Sequence, residues 1–255
     1  MWNQSPKGRS DYGECPVCHG AGWELYEEVV RGYSGAPVFF AKECSYCSQK
    51  RRKFDATGTP REFYNAQYSQ FNFGIYSNVD MSKLQKLCDS IVKDFETWEK
   101  DGKGLYLWSN EPGSGKTFLA CCIAKTVMMQ NDAQMRFVTE PDYLASVQEG
   151  YRRERGLSDP SEVYRTCRLL VLDDLGTQKD GDWMQQEMFR LINTRVNNRL
   201  VTIYTSNNST DTLKLNPRTV NRIEKSSIIL HMPEESIRKK EAREEQARFA
   251  AKILR

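Results

Sequence analysis

A chain of 255 residues with 39% hydrophobic and 28% charged side chains has the balance of a globular protein, with room for one main domain and a smaller one, and not that of a disordered tail. No apolar run is long enough to span a bilayer, and the opening "MWNQSPKGRSDYGE" lacks the apolar core of a secretory signal, so the expected setting is the cytoplasm with no membrane partner. A formal net charge of +3 is too small to identify a nucleic-acid partner without local clusters.

The first feature in chain order is "CPVCHGAGW", which opens a C-x2-C pair at Cys15 and Cys18. A second pair, Cys44 and Cys47, follows after a spacer of 25 residues. Two such knuckles are the spacing of a tetrahedral structural zinc site, because each pair holds the metal from one side and Zn²⁺ takes thiolate sulfur readily. Disulfides are the competing reading, disfavoured in a reducing compartment, and His19 is an alternative ligand beside Cys18. Four ligands leave no open position, so the site is expected to hold structure and not to catalyse. Residues 1–55, ending in the basic run "KRRK", form a segment too short to bury much core and are expected to be a zinc-stapled domain. Cys88, Cys121, Cys122 and Cys167 fall in helix- or strand-like segments and are expected to be buried as small hydrophobes.

Residues 56–80 are rich in Gly, Asn, Ser, Tyr and Phe without helical periodicity, and are expected to be an extended linker whose aromatics pack on something. From Met81 to about Lys100, Leu84, Leu87, Cys88, Ile91, Val92, Phe95 and Trp98 mark one face of an amphipathic helix. Five short apolar runs then alternate with longer helical patterns: Leu105–Trp108, Arg136–Thr139, Leu169–Leu172, Val201–Thr205 and Ser227–Met232. Their near-continuous apolar character predicts parallel strands covered on both faces, an α/β fold over residues 81–233. Residues 234–255 read as a terminal helix, with Glu234 and Glu235 in its first turn, Lys252 and Arg255 in its last, and i,i+4 pairs Glu234–Arg238 and Glu244–Arg248 on a solvated face.

"NEPGSGKT", Asn110–Thr117, lies between a predicted strand and a predicted helix, the setting of a phosphate loop. Asn110, Glu111, Pro112, Gly113, Ser114 and Gly115 would wrap the phosphates with backbone N–H groups. Lys116 would reach the outer phosphates, Thr117 would ligate Mg²⁺, and Phe118 completes the cofactor-binding set. Asn110 stands where the motif usually has its first glycine; Asn tolerates a left-handed backbone, so the turn is expected to survive. "RLLVLDDLG" supplies the acidic strand end: Asp173 to hold Mg²⁺ and Asp174 to orient the attacking water. Asn207, just past the next strand, is placed to meet the water or the γ-phosphate. A plain Gly-rich turn and an acidic helix cap are the structural alternatives.

At these residues the sequence resembles the DnaC/DnaI-type replicative helicase loaders of the AAA+ ATPases, with the related IstB transposition ATPases close by. The resemblance covers about Thr59 to Met232 and rests on "GTPREFY", "EPGSGKTFLA", "TEPDYLASV", "RLLVLDDLG", "RVNNRLVTIYTSN" and "NPRTVNRI" in that order. It implies an AAA+ P-loop core with a five-stranded parallel sheet in 5-1-4-3-2 order, no full lid domain, Asn207 as the first sensor, and Arg222, or else Arg218, as an arginine finger. It also implies ATP hydrolysis, self-association through shared ATP sites, a replicative DNA helicase and single-stranded DNA as partners, and a zinc module that grips the helicase. Tyr151–Gly156 lies where the family inserts a DNA-contacting helix, and Arg195 and Arg199 are further cationic candidates for phosphate contact, although such arginines are often only solvated. Two rival functions remain: an IstB-like transposition helper, and an adaptor that binds nucleotide without hydrolysing it.

Overall fold

A turn follows Cys15, where small residues favour one, and the second cysteine pair leads into a helix, with a hairpin between the two pairs. The computed structural model describes residues 15–19, 21–28, 38–64, 66–76, 79–153, 158–177 and 181–253, with the side chains of residues 50–52 outside that description. It divides into two compact units, Met1–Asn65 and Ala66–Arg255.

In the first unit, strands β1 (Trp23–Glu28) and β2 (Val38–Glu43) pair antiparallel, with Trp23 opposite Glu43 and Glu28 opposite Val38. Helix α1 (Ser45–Asp55) follows directly and carries Cys47. Its end is closed by buried Phe54, whose ring meets Tyr64 edge-on at 4.9 Å. The rest of the "KRRK" run before Lys53, residues 50–52, lies outside the described side chains.

The stretch read as a linker contains three short 3-10 turns, Arg61–Phe63, Tyr68–Gln70 and Phe73–Ile75, and the last two lie in the second unit. The single helix expected over Met81–Lys100 is two: α2 (Ser82–Lys93) and α3 (Phe95–Asp101). Asp94 breaks it, leaving the helical region at φ −139° and ψ 65° and accepting the Thr97 N–H at 3.2 Å. An aspartate that can cap a following helix competes with continuation of the preceding one, and the new direction buries Phe95.

The core elements follow as β3 (Gly104–Trp108), α4 (Lys116–Asn131), β4 (Met135–Thr139), α5 (Glu140–Arg152), α6 (Glu162–Thr166), β5 (Leu169–Leu175), α7 (Asp182–Asn197), β6 (Val201–Ser206), α8 (Pro217–Ser226), β7 (Ser227–His231) and α9 (Ile237–Ile253). All neighbouring strands of the sheet are parallel, in the order β4-β5-β6-β3-β7. Numbered within the sheet this is 5-1-4-3-2, the expected order and an AAA+ P-loop arrangement. Tyr106, Leu170, Leu172 and Tyr204 on one face pack with Tyr143, Met188, Leu191 and Ile223 from the helices, while α4 covers β5 and β6. The central strands β3, β5 and β6 are therefore buried on both faces, which is why they read as continuous apolar runs, whereas edge strand β7 leaves Ile229 and His231 exposed.

Cys88, Cys121, Cys122 and Cys167 are buried thiols, as expected. Arg195 corrects a second expectation. It is 1% exposed and donates to Thr202 Oγ1, to the carbonyls of Tyr164, Cys167 and Val201, and to Cys167 Sγ. A guanidinium committed to buried carbonyls ties α7 to the loop before β5 and is not presented to a nucleic acid. The terminal helix starts at Ile237, four residues after Pro233, so Glu234 and Glu235 precede it and the Glu234–Arg238 pair does not form. No described helix is long and apolar enough to cross a membrane.

Candidate functional site

The C-terminal ends of parallel strands are where loops between strand and helix gather, and the phosphate-loop motif falls at the end of β3. Gly113 and Gly115 take left-handed backbone, φ 80° and 90°, and α4 starts at Lys116 with its first N–H groups unpaired by the helix itself. A Cβ at Gly115 would stand 2.9 Å from the Tyr76 hydroxyl, which donates to the Ser114 carbonyl at 2.7 Å. The loop backbone is thus backed by the segment read as a linker, and Phe71 of that segment faces the Phe118 ring at 6.0 Å.

Asn110 departs from the expected left-handed turn: the positive-φ residues other than glycine are His19, Asp132, Asp174 and Arg199 among the described residues. The turn is held from outside instead. Glu234 accepts from the Asn110 N–H at 3.0 Å, the Asn110 amide side chain at 3.2 Å and the Glu111 N–H at 2.8 Å. The missing glycine is therefore made good by hydrogen bonds and not by conformation.

Lys116 is 5% exposed, and its ammonium donates to the carbonyls of Ser109 and Glu111, each at 3.2 Å, and to Ser114 Oγ at 3.1 Å. Burial lowers its pKa, opposed by the carboxylates of Asp174, Glu234, Asp173 and Glu111. An anion entering the loop would meet a lysine already aimed inward.

Thr117 Oγ1 donates to Asp173 Oδ1 at 2.8 Å, and Thr205 Oγ1 on β6 donates to the same oxygen at 2.5 Å. The two sequence motifs, 56 residues apart, thus meet directly. Burial pushes the Asp173 carboxyl up to about 6 against the opposing hydroxyl bond from Thr205, with adjacent Asp174 adding to the rise and Thr117 resisting it. A cation at this position would stabilise the ionised carboxylate. The pairing of β5 with β6 shifts register between Leu172 and Leu175, and Asp174 there adopts φ 54° while donating its N–H to Thr205 Oγ1 at 3.0 Å. The bulge turns Asp174 away from the strand's alternation. Glu140, fully buried, accepts from Gly176 N at 2.7 Å and Thr177 N at 3.1 Å and sets the loop beyond the bulge.

Asn207 sits half-buried directly after β6. On α8, Arg218 is exposed and Arg222 half-buried, and Arg222 Nη1 donates to Asn197 Oδ1 at 3.5 Å. Among the described residues neither arginine donates to this chain's phosphate loop. Tyr151 is exposed and donates to Glu187 at 2.9 Å, and Arg153 pairs with Glu149; the remainder of that basic segment, residues 154–156, lies outside the described residues. Thr205, Tyr76, Glu140 and Glu234 escape the sequence reading. The aromatic density of "FNFGIY" around Tyr76 is a usable signal, but a threonine in a strand and acids beside helix starts look ordinary.

In the first unit the sulfurs of Cys15, Cys18, Cys44 and Cys47 lie within 4.8 Å of one another. Cys15 and Cys44 are 3.7 Å apart and Cys18 and Cys47 3.6 Å. A tetrahedral ion with bonds of about 2.3 Å to sulfur sets its ligands about 3.8 Å apart, so the four thiols fit a metal of that size. Burial raises the Cys15 thiol, yet the Cys18 and Val17 N–H groups that donate to it bring it down to about 6, toward the thiolate a metal needs. His19 projects from a left-handed turn outside this cluster of four.

Known proteins resemble this chain in sequence and in fold. The replicative helicase loader DnaI of Bacillus subtilis (strain 168) is 26% identical over 172 residues, 64% of this chain and 54% of that protein, so the chain spans about half the length of that relative. Among solved structures, the DnaC helicase loader superposes with a TM-score of 0.61 at 24% identity, covering 68% of this chain and all of that one. A DnaI structure gives 0.57 at 23% identity, covering 70% and 93%. These likenesses support the fold. The profile of the IstB-like ATP binding protein family matches residues 62–245, most of the chain and the whole phosphate-loop and acidic-strand assembly, and the chain belongs to that family.

Proposed function

We propose that the protein is an ATP-hydrolysing loader of a replicative DNA helicase, acting in the cytoplasm on single-stranded DNA. The observation that carries the nucleotide part is the bond from Thr117 to Asp173, which joins the phosphate loop to the acidic strand end beside buried Lys116. Gly113 to Thr117 would hold the phosphates, Thr117 and Asp173 would hold Mg²⁺, and Asp174 would orient water, with Asn207 as sensor and Arg222 supplied by a neighbouring copy. Mg²⁺, when bound, offsets charge on the phosphate oxygens. Residues 1–55 would form the zinc-held module that grips the helicase, residues 56–80 the connection, residues 81–233 the ATPase and residues 234–255 the C-terminal helix. The similarity to DnaI and the DnaC-like fold support the loader reading.

Lys116→Ala is expected to weaken ATP binding by roughly a hundredfold, because it removes a charge used in both ground and transition states. Asp174→Asn is expected to bind ATP normally and to slow hydrolysis by about a hundredfold or more. Fluorescent-nucleotide titration and phosphate release check both; normal turnover in Asp174→Asn would remove that carboxylate from the mechanism. The family match also favours a transposition-helper reading, against which the four-cysteine cluster stands. Affinity capture from host lysate distinguishes them, since a loader retains a replicative helicase and a helper retains a transposase.

A further inference from the structure

We propose that Glu234 is a positioning residue of the phosphate loop, which fixes the Asn110–Glu111 segment on which the Lys116 ammonium rests. The inference rests on reading this loop as the ATP site. One oxygen of Glu234 accepts from the Asn110 N–H and from the Asn110 side chain, and the other accepts from the Glu111 N–H. The carbonyl of Glu111 in turn holds Lys116 Nζ at 3.2 Å, and its carboxylate pairs with Lys239 at 2.7 Å. Three residues further along the tail, the N–H groups of Ile237 and Arg238 donate to the Gly113 carbonyl at 2.9 and 3.3 Å. A Cβ at Gly113 would stand 2.8 Å from Ser236 Oγ, so the loop glycine and the tail are in contact. The segment 234–239 therefore grips the loop at Asn110, Glu111 and Gly113.

A carboxylate beside a phosphate site would ordinarily repel its ligand. Here its charge is spent on two backbone N–H groups, an amide and His231 Nε2 at 2.7 Å, with Lys239 close by on Glu111. Without Glu234 the Asn110 N–H would lose its acceptor, and the Glu111 N–H would keep only Ser109 Oγ at 3.2 Å. The choice of asparagine at the first motif position follows: its side chain adds a donor to Glu234 that glycine lacks. Asn110 and Glu234 act as a pair.

Titration calorimetry with Mg-ATP on the full chain tests this. Glu234→Ala is expected to weaken binding about tenfold, and Glu234→Gln less, since one acceptor oxygen survives. Asn110→Gly installs the residue the motif usually carries, yet is expected to weaken binding about threefold here. The double variant Asn110→Gly/Glu234→Ala is expected to bind no more weakly than Glu234→Ala alone, because both changes remove one interaction. A purely structural role for Glu234 would lower the melting temperature without this coupling on ATP affinity. Unchanged or tighter binding in Glu234→Ala, or additive losses in the double variant, would overturn the proposal. Should Glu234→Ala fail to fold, Glu234→Gln and Asn110→Gly decide by the same criterion. A parent chain that binds no Mg-ATP would instead sink the nucleotide reading, and this proposal with it.

Discussion

Arg222→Ala is expected to bind ATP as the parent does and to lose turnover on the order of a thousandfold, the scale on which arginine fingers act. Helix α8 begins as the sequence predicts, with Pro217 at its first position and Asn216 Oδ1 accepting the Arg218 N–H at 2.9 Å. Thr219 and Ile223 face the core, while Arg218, exposed, and Arg222, half-buried, lie one turn apart beside them. Among the described residues Arg222 makes one long bond, to Asn197, and pairs with no carboxylate. The chain's own phosphate loop carries Lys116 but receives no bond from α8. A cation from a second copy would complete the site, and mixing Arg222→Ala with Lys116→Ala is expected to restore part of the turnover, because each lacks a different half of the shared site. Steady-state phosphate release on the two variants and their mixture checks this. Full activity and assembly in both Arg222→Ala and Arg218→Ala would exclude a shared site of this kind.

The second large effect is expected in the first unit. One zinc per chain is expected by elemental analysis, and Cys44→Ser is expected to unfold residues 15–65 while leaving nucleotide binding by the second unit nearly unchanged. The cysteine cluster holds the start of the hairpin to α1: Gly22 N donates to Cys18 Sγ at 3.2 Å, and Cys44 sits between β2 and α1. Phe54 is a rare large hydrophobe that is fully buried in this unit, whereas Trp23, Leu25 and Phe39 are more than half exposed. Such a core supplies little stability, against an apparent contribution of about 10–16 kcal/mol for a structural zinc in a small module. Chelation followed by circular dichroism should therefore remove the hairpin signal, and captured helicase should be lost with it. Purified protein without zinc would refute the assignment.

Local patterns by themselves determined much of this protein. The C-x2-C pairs, the Gly-rich loop between an apolar run and a helix, and the acidic end of "RLLVLDDLG" are patterns written within a few residues, and the fold brings the four cysteines together and Thr117 against Asp173. The five strands were legible as apolar runs, the central three because a parallel strand buried on both faces has to be apolar throughout. Their order was not legible from those runs; it entered with the family resemblance and the structure bears it out. Tertiary contact decided the rest. Asp94 could have continued a helix, and became a cap because burying Phe95 required the turn. Arg195 looked like a cation for phosphate until three carbonyls and a strand threonine surrounded it. Thr205 and Glu234 acquire their roles only when β6 lies beside Asp173 and the tail returns to Asn110, contacts 32 and 124 residues apart in sequence. A hydrogen bond across such a distance leaves no periodicity and no spacing in the chain, because its partners are selected by the folded backbone and not by their neighbours.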